Sequence, residues 1–246
     1  MASSVKIIDI IFFKHIKVPF KLMKKHFFLF ICISSLFIFV SCENFQSNKN
    51  VSPNDTKSIN LLTDYIPINA DGTINAIIEI PSGTLDKWEL NKLNGKIEWE
   101  LIDDKPRIVN YLGYPGNYGL IPQTLLSKEK GGDGDPLDIL VLGPPAEKGS
   151  IIKCKIIGVL FLMDKGERDD KLIAVSLNSP LYNVNDIIDL NKNYYGISEI
   201  IKLWFTNYKG PHKMDSKGFG DTKIAEVLLR DAINEHKLKN NNQNIK

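Results

Sequence analysis

Histidine and cysteine are scarce in this chain, four and three among 246 residues, and none stands in the acid-rich segments of its middle. That excludes a thiolate or imidazole zinc site there. Disulfides are excluded as well. Cys32 lies in an N-terminal apolar run and Cys42 directly follows it, which leaves Cys154 alone in the body of the chain. No basic run is interleaved with aromatics, so nothing suggests a nucleic-acid binder. The formal net charge of +2 decides little, and no internal repeat is present. A composition of 43% hydrophobic and 24% charged residues is that of an ordinary globular protein with one good core.

The apolar run from Phe27 to Val40 is short for a membrane-spanning helix, which needs about 20 residues. It follows Met23-Lys24-Lys25-His26 and reads as the h-region of a secretory signal peptide. Its end, "FVSC", resembles the lipobox of bacterial lipoproteins, in which the cysteine, here Cys42, is lipidated and becomes the new N-terminus. Phe39 stands where leucine is usual, and a start at Met23 would account for the residues before it. An uncleaved signal anchor and a cytoplasmic protein with a leader are the alternatives. Asn and Ser dominate after Cys42, as in a flexible tether. The expected organisation is therefore a leader over 1–42, a tether over 43–65, one domain over 66–237 and a disordered tail over 238–246.

Five β-branched or alternating runs bounded by turn residues predict strands: Asn75 to Pro81, Lys96 to Ile102, Asp138 to Gly143, Ser150 to Asp164 and Lys171 to Leu177. Cys154 alternates with lysines in "IIKCKII" and is expected on a buried strand face. The last fifty or so residues of the domain predict helices. One stripe holds Ile197, Ile200, Ile201 and Trp204; another holds Ile224, Leu228 and Ala232, with Asp221 as N-cap. Strands followed by helices argue for an α+β fold, a small antiparallel barrel with helices outside it.

The densest chemistry lies in "GDGDPLD", where Asp133, Asp135 and Asp138 precede an apolar strand. An EF-hand fails by spacing, because a loop counted from Asp133 puts Asp138 at position 6 and Pro144 at position 12. A second acidic turn, "LMDKGERDD", carries Asp164, Glu167, Asp169 and Asp170 between two strands. Two such turns are either solvated surface or halves of one site for hard cations such as Mg2+, Mn2+ or Ca2+. Crowded carboxylates have raised pKa values unless cations offset their repulsion. Lys87, Arg107, Tyr118, Lys171, Tyr208 and Lys209 are donors that suit a phosphate.

"GDGDPLDILVLG" resembles the signature of the family I soluble inorganic pyrophosphatases, Asp-x-Asp-Pro-x-Asp followed by apolar residues. The resemblance extends in family order from "IIEIPSGTLDKWEL" through "YPGNYGLIPQTL" and "LMDKGERDDKLIAV" to "WFTNYKGP", about Asn75 to Pro211. It implies a five-stranded OB-like barrel with flanking α-helices and Mg2+-dependent hydrolysis of pyrophosphate to two phosphates. By the same resemblance, Asp133, Asp138 and Asp169 hold one metal, and Asp138 is shared with a second that activates the attacking water. Asp135 is the general base. Asp164 and Asp169 hold a metal that arrives with substrate, Glu89 helps bind a fourth, and Glu79 lies in the surrounding shell. Lys87, Arg107, Tyr118, Lys171, Tyr208 and Lys209 hold the two phosphoryl groups. Several Mg2+ ions per site, Mn2+ or Zn2+ as substitutes, and a homo-oligomer are implied as well. An inactive surface module would have lost a ligand, and none is missing; a nucleotide or polyphosphate hydrolase would need a pocket open at one end. Combined with the leader, the expectation is an exported enzyme held on a membrane only by a lipid on Cys42, the alternative being a cytoplasmic one.

Overall fold

A computed structural model describes residues 59–243. The leader, Cys42 and most of the expected tether lie outside the described residues, as do residues 244–246. In chain order the strands are β1 (Ile74–Ile80), β2 (Trp88–Asn91), β3 (Lys96–Trp99), β4 (Leu101–Ile102), β5 (Lys105–Pro106), β6 (Asn117–Leu120), β7 (Asp138–Leu142), β8 (Ile151–Asp164), β9 (Glu167–Arg168), β10 (Lys171–Ser176) and β11 (Met214–Gly220). The helices are α1 (Ile187–Asn193), α2 (Ile197–Asn207) and α3 (Thr222–Gln243).

Pairings β1–β6, β6–β7, β7–β10, β10–β8 and β8–β1 close a ring of five strands, an OB-like barrel in an α+β fold. Four pairings are antiparallel, but β7 and β10 run parallel, with Asp138 opposite Lys171. Parallel neighbours need a crossover rather than a hairpin, and the whole of β8 lies on the connection between them. The expected strand from Lys96 to Ile102 does not join the ring: it breaks into β3 and β4, each in its own hairpin. β6 takes its place. That strand holds only "NYGL", and a Cβ at Gly119 would collide with the Ile77 carbonyl oxygen of β1, so glycine is what lets the two strands meet.

The strands read as continuous apolar runs because both their faces are covered. On β7 and β10, Ile139, Val141, Leu172 and Ala174 enter a layer with Ala225, Leu229, Ala232 and Ile233 of α3. Leu140, Leu142, Ile173 and Val175 enter a second layer with Leu190 of α1 and Ile201, Trp204 and Phe205 of α2. Cys154 is fully buried in the first. Ile197, Ile201 and Trp204 of α2 and Leu228 and Ala232 of α3 pack on the core as expected, but Ile200 and Ile224 are exposed, and Phe205, Leu229 and Ile233 face the core as well. Aliphatic residues lie on both faces of each helix, so periodicity alone leaves the inward face open. Asp221 does cap α3, its carboxylate accepting from the Ile224 amide at 2.9 Å.

Both domain ends differ from the expectation. Leu61 and Leu62, assigned to the tether, pack on Ile77, Leu90 and Leu120, and the Leu61 amide donates to the Gly95 carbonyl. Gln123 reaches back to the carbonyls of Thr63 and Tyr65. At the other end α3 continues through residues 238–243, which were assigned to the tail. Extending a helix already nucleated by packed turns costs little even for an Asn-rich sequence.

Candidate active site

The "GDGD" loop is held by its own backbone. Gly134 has φ +89°, a left-handed conformation that favours glycine. That turn lets the Asp133 carboxylate accept from the Asp135 amide at 2.8 Å. Leu126 brackets the loop, donating to the Asp135 carbonyl and accepting from the Gly134 amide. Pro136 and Leu137 then lead into β7, so Asp138 starts that strand next to the loop. Asp169 precedes β10, where its amide donates to the Leu162 carbonyl. The neighbouring Asp170 points elsewhere: its carboxylate accepts from the Leu162 amide and from Arg168 and is a structural group.

A cavity of about 570 Å³ opens where β7 and β10 begin. Asp133, Asp135, Asp138, Asp169, Glu79 and Glu89 line it, together with Lys87, Arg107, Tyr118, Lys171, Tyr208 and Lys209. Of the residues expected at the site and described here, Asp164 alone does not line the cavity. It is tied to it by Lys209, whose Nζ lies 2.7 Å from Asp164 Oδ2.

Lysines stand between the carboxylates. Lys171 Nζ lies 2.5 Å from both Asp138 Oδ2 and Asp169 Oδ1, and its side chain is only 2% exposed. Burial by itself would push the Lys171 ammonium down, but these two carboxylates outweigh it and hold the group above the ordinary lysine range. Lys92 contacts Asp135 at the rim. Lys171 and Lys209 are therefore carboxylate partners as well as cavity donors, a double role not visible from the sequence.

Negative charge nevertheless exceeds what these lysines offset. Asp133 is pushed above the usual carboxylate range by burial and by the charges of Asp135, Asp138 and Asp169. Asp169 is raised by burial and by Asp138, against the opposing Lys171 and Lys209. Burial pushes Glu79 up to about 7, with Asp138 and Glu89 adding to it and Lys87 opposing. Glu79 accepts from the Leu90 amide at 2.6 Å, which anchors β2 against β1. Asp164 Oδ1 is buried without a hydrogen-bond partner. Raised carboxylates and an orphaned buried oxygen, all oxygen donors, fit hard divalent cations. Among the described residues no three such groups are close enough together to hold a metal ion as they stand, and Lys171 lies between Asp138 and Asp169.

The donors come from other elements. Tyr118, on β6, is 7% exposed; burial, then the charges of Asp138 and Asp169, keep its phenol well above its usual range and hence protonated. Tyr208 caps the C-terminus of α2 and stacks on Trp204, with ring centroids 4.6 Å apart at 11°. Lys87 and Arg107 flank the β2–β3 and β4–β5 hairpins. Two cavity neighbours escaped sequence reasoning. Lys92 sits in a hairpin turn, and Glu100 contacts both Arg107, at 2.7 Å, and Lys87, at 3.8 Å. No spacing rule flags either, since only the folding of the hairpins over the barrel brings them in.

An OB-like barrel with a carboxylate cluster and phosphate-grade donors around one cavity defines a class of site, one built for a polyanion handled together with hard cations. A family model described as inorganic pyrophosphatase matches residues 76–237. The chain is 34% identical over 174 residues to the inorganic pyrophosphatase of Xylella fastidiosa, covering 69% of this chain and 92% of that one. It is 37% identical over 172 residues to the inorganic pyrophosphatase of Campylobacter jejuni, covering 67% and 92%. The crystal structure of inorganic pyrophosphatase from Thermus thermophilus superposes with a TM-score of 0.62 at 30% identity, covering 73% of this chain and 99% of that one. The chain belongs to the inorganic pyrophosphatase family.

Proposed function

We propose that this protein hydrolyses inorganic pyrophosphate to two phosphates, with Mg2+ as cofactor and Asp135 as general base. The observation that carries this reading is the cavity itself, where carboxylates and phosphate donors face one space of a size suited to a small polyanion. Asp133, Asp138 and Asp169 would hold one ion, with Asp138 shared towards a second. Asp164 and Asp169 would hold an ion arriving with substrate, and Glu89 would contribute to another; Glu79 supports this shell. Bound there, Mg2+ neutralises phosphoryl charge and lowers the pKa of the attacking water.

The chain's own groups do the rest. Lys87, Arg107, Tyr118, Tyr208, Lys209 and Lys171 bind and orient the two phosphoryl groups and stabilise charge as it spreads over their oxygens. Asp135 is half exposed on the Gly134 turn; its backbone is held by Leu126 and by the Asp133 carboxylate, and its side chain contacts Lys92. It would accept the proton of the attacking water as the P–O–P bridge breaks and the leaving phosphate departs. Phosphate release from pyrophosphate with Mg2+, and its loss on chelation, tests the reading. Equal turnover of ATP or tripolyphosphate would replace it with that of a broader phosphoanhydride hydrolase.

The site of action is a separate proposal. The apolar run ending at Cys42 supports an exported lipoprotein, and no helix among the described residues is long and apolar enough to cross a membrane. Each buried acyl CH2 contributes about 0.8 kcal/mol, so two or three chains on Cys42 would anchor the enzyme stably. Cys42→Ala is then expected to move the protein from the membrane to the soluble fraction. Unchanged membrane retention would refute the lipid anchor and favour an uncleaved signal anchor, whereas a wild-type protein found in the soluble fraction would favour the cytoplasmic alternative.

A further inference from the structure

Lys87, Glu100 and Arg107 come from three separate segments, yet their main chains close a cycle. The Lys87 amide donates to the Arg107 carbonyl at 3.0 Å, the Glu100 amide to the Lys87 carbonyl at 2.9 Å, and the Arg107 amide to the Glu100 carbonyl at 2.8 Å. The Trp99 indole also donates to the Arg107 carbonyl, at 2.9 Å, and Trp99 packs on Trp88. These bonds fix the backbones of the two cavity cations without using the Glu100 side chain.

The Glu100 side chain divides its two oxygens between the cations. Oε1 accepts from Arg107 Nη1 at 2.7 Å, and Oε2 lies 3.8 Å from Lys87 Nζ. All three side chains are largely buried, at 15% exposure for Lys87, 22% for Glu100 and 24% for Arg107. Lys87 and Arg107 line the cavity, whereas Glu100 is not among the lining residues. It stands behind them.

We infer that Glu100 is a positioning residue for substrate, an inference that rests on the pyrophosphatase reading above. Two cations brought together behind one phosphoryl group repel each other, and a single carboxylate at their back offsets that repulsion. Arg107 spends one of its five N–H donors on Glu100 and keeps the others for a phosphoryl oxygen. Without Glu100 both long side chains regain rotamer freedom, and substrate must order them on binding. The loss therefore falls on binding rather than on the chemical step.

The test is steady-state kinetics of the wild type, Glu100→Ala and Glu100→Gln, with orthophosphate binding measured by calorimetry on the same proteins. For Glu100→Ala, KM is expected to rise about tenfold, the factor given by about 1.4 kcal/mol of lost binding, with kcat changed by less than about threefold. Glu100→Gln keeps an acceptor for Arg107 and falls between. In an Arg107→Gln background the same Glu100→Gln change is expected to raise KM by less than about twofold, since its main partner is gone. KM and phosphate affinity unchanged in both folded variants would overturn the inference. Absence of pyrophosphate turnover in the wild type would instead overturn the proposed function, and phosphate affinity equal in wild type and Glu100→Ala would then overturn the role of Glu100 independently.

Discussion

Asp135→Asn is expected to lower pyrophosphate turnover by roughly 10²- to 10⁴-fold, the range attributed to a positioned general base. The fold should be indifferent to the change. The Asp135 side chain is half exposed, and its one charged partner, Lys92, is also half exposed, so the pair contributes about 0–1 kcal/mol. The backbone bonds of the loop run through Leu126 and the Asp133 carboxylate and survive the substitution. Asparagine keeps the shape and can no longer accept a proton from water. Rates compared at equal melting temperature check this, and a variant retaining more than about a tenth of the wild-type rate would remove Asp135 from its role.

Lys171→Met should have the largest effect on stability. It leaves Asp138 and Asp169 facing each other with side chains only 24% and 17% exposed. Removing one partner of a buried charge pair costs about 3–5 kcal/mol, and the residual exposure of the carboxylates places this case at the lower end. Urea unfolding in EDTA should show that loss. Millimolar Mg2+ should recover part of it, because a cation held between the two carboxylates offsets the same repulsion. A variant as stable as wild type in EDTA would show that the two aspartates need no cation between them. Activity should fall along with stability, since Lys171 also lines the cavity.

The crowding of like charge in "GDGDPLD" is legible from the residues, and so is its place in an acidic turn before an apolar strand. What sits between the acids is not. Asp138 and Lys171 are 33 positions apart and meet because β7 and β10 pair in parallel with these two residues in register. Local patterns specify strands, while register between strands is a property of the closed ring. β6 shows the same limit: four residues containing Gly119 carry little strand propensity, and burial against β1 and β7 makes them a strand. The runs from Ser150 to Asp164 and from Lys171 to Leu177, continuously apolar or alternating over their length, are strands within a residue or so of their expected bounds. Glu100 illustrates the remainder. In "KIEWELI" it reads as the polar face of a strand, and its role emerges only when two hairpins bring Lys87 and Arg107 to either side of it.

We propose that the carboxylates and donors of this cavity form one metal-dependent site for pyrophosphate. The most direct measurement is phosphate release from pyrophosphate by the purified chain from Glu43 onward, with Mg2+ and with EDTA. Turnover is expected to require Mg2+ and to cease on chelation. A folded protein that binds Mg2+ yet releases no phosphate would contradict it and leave the cavity as a binding site without catalysis.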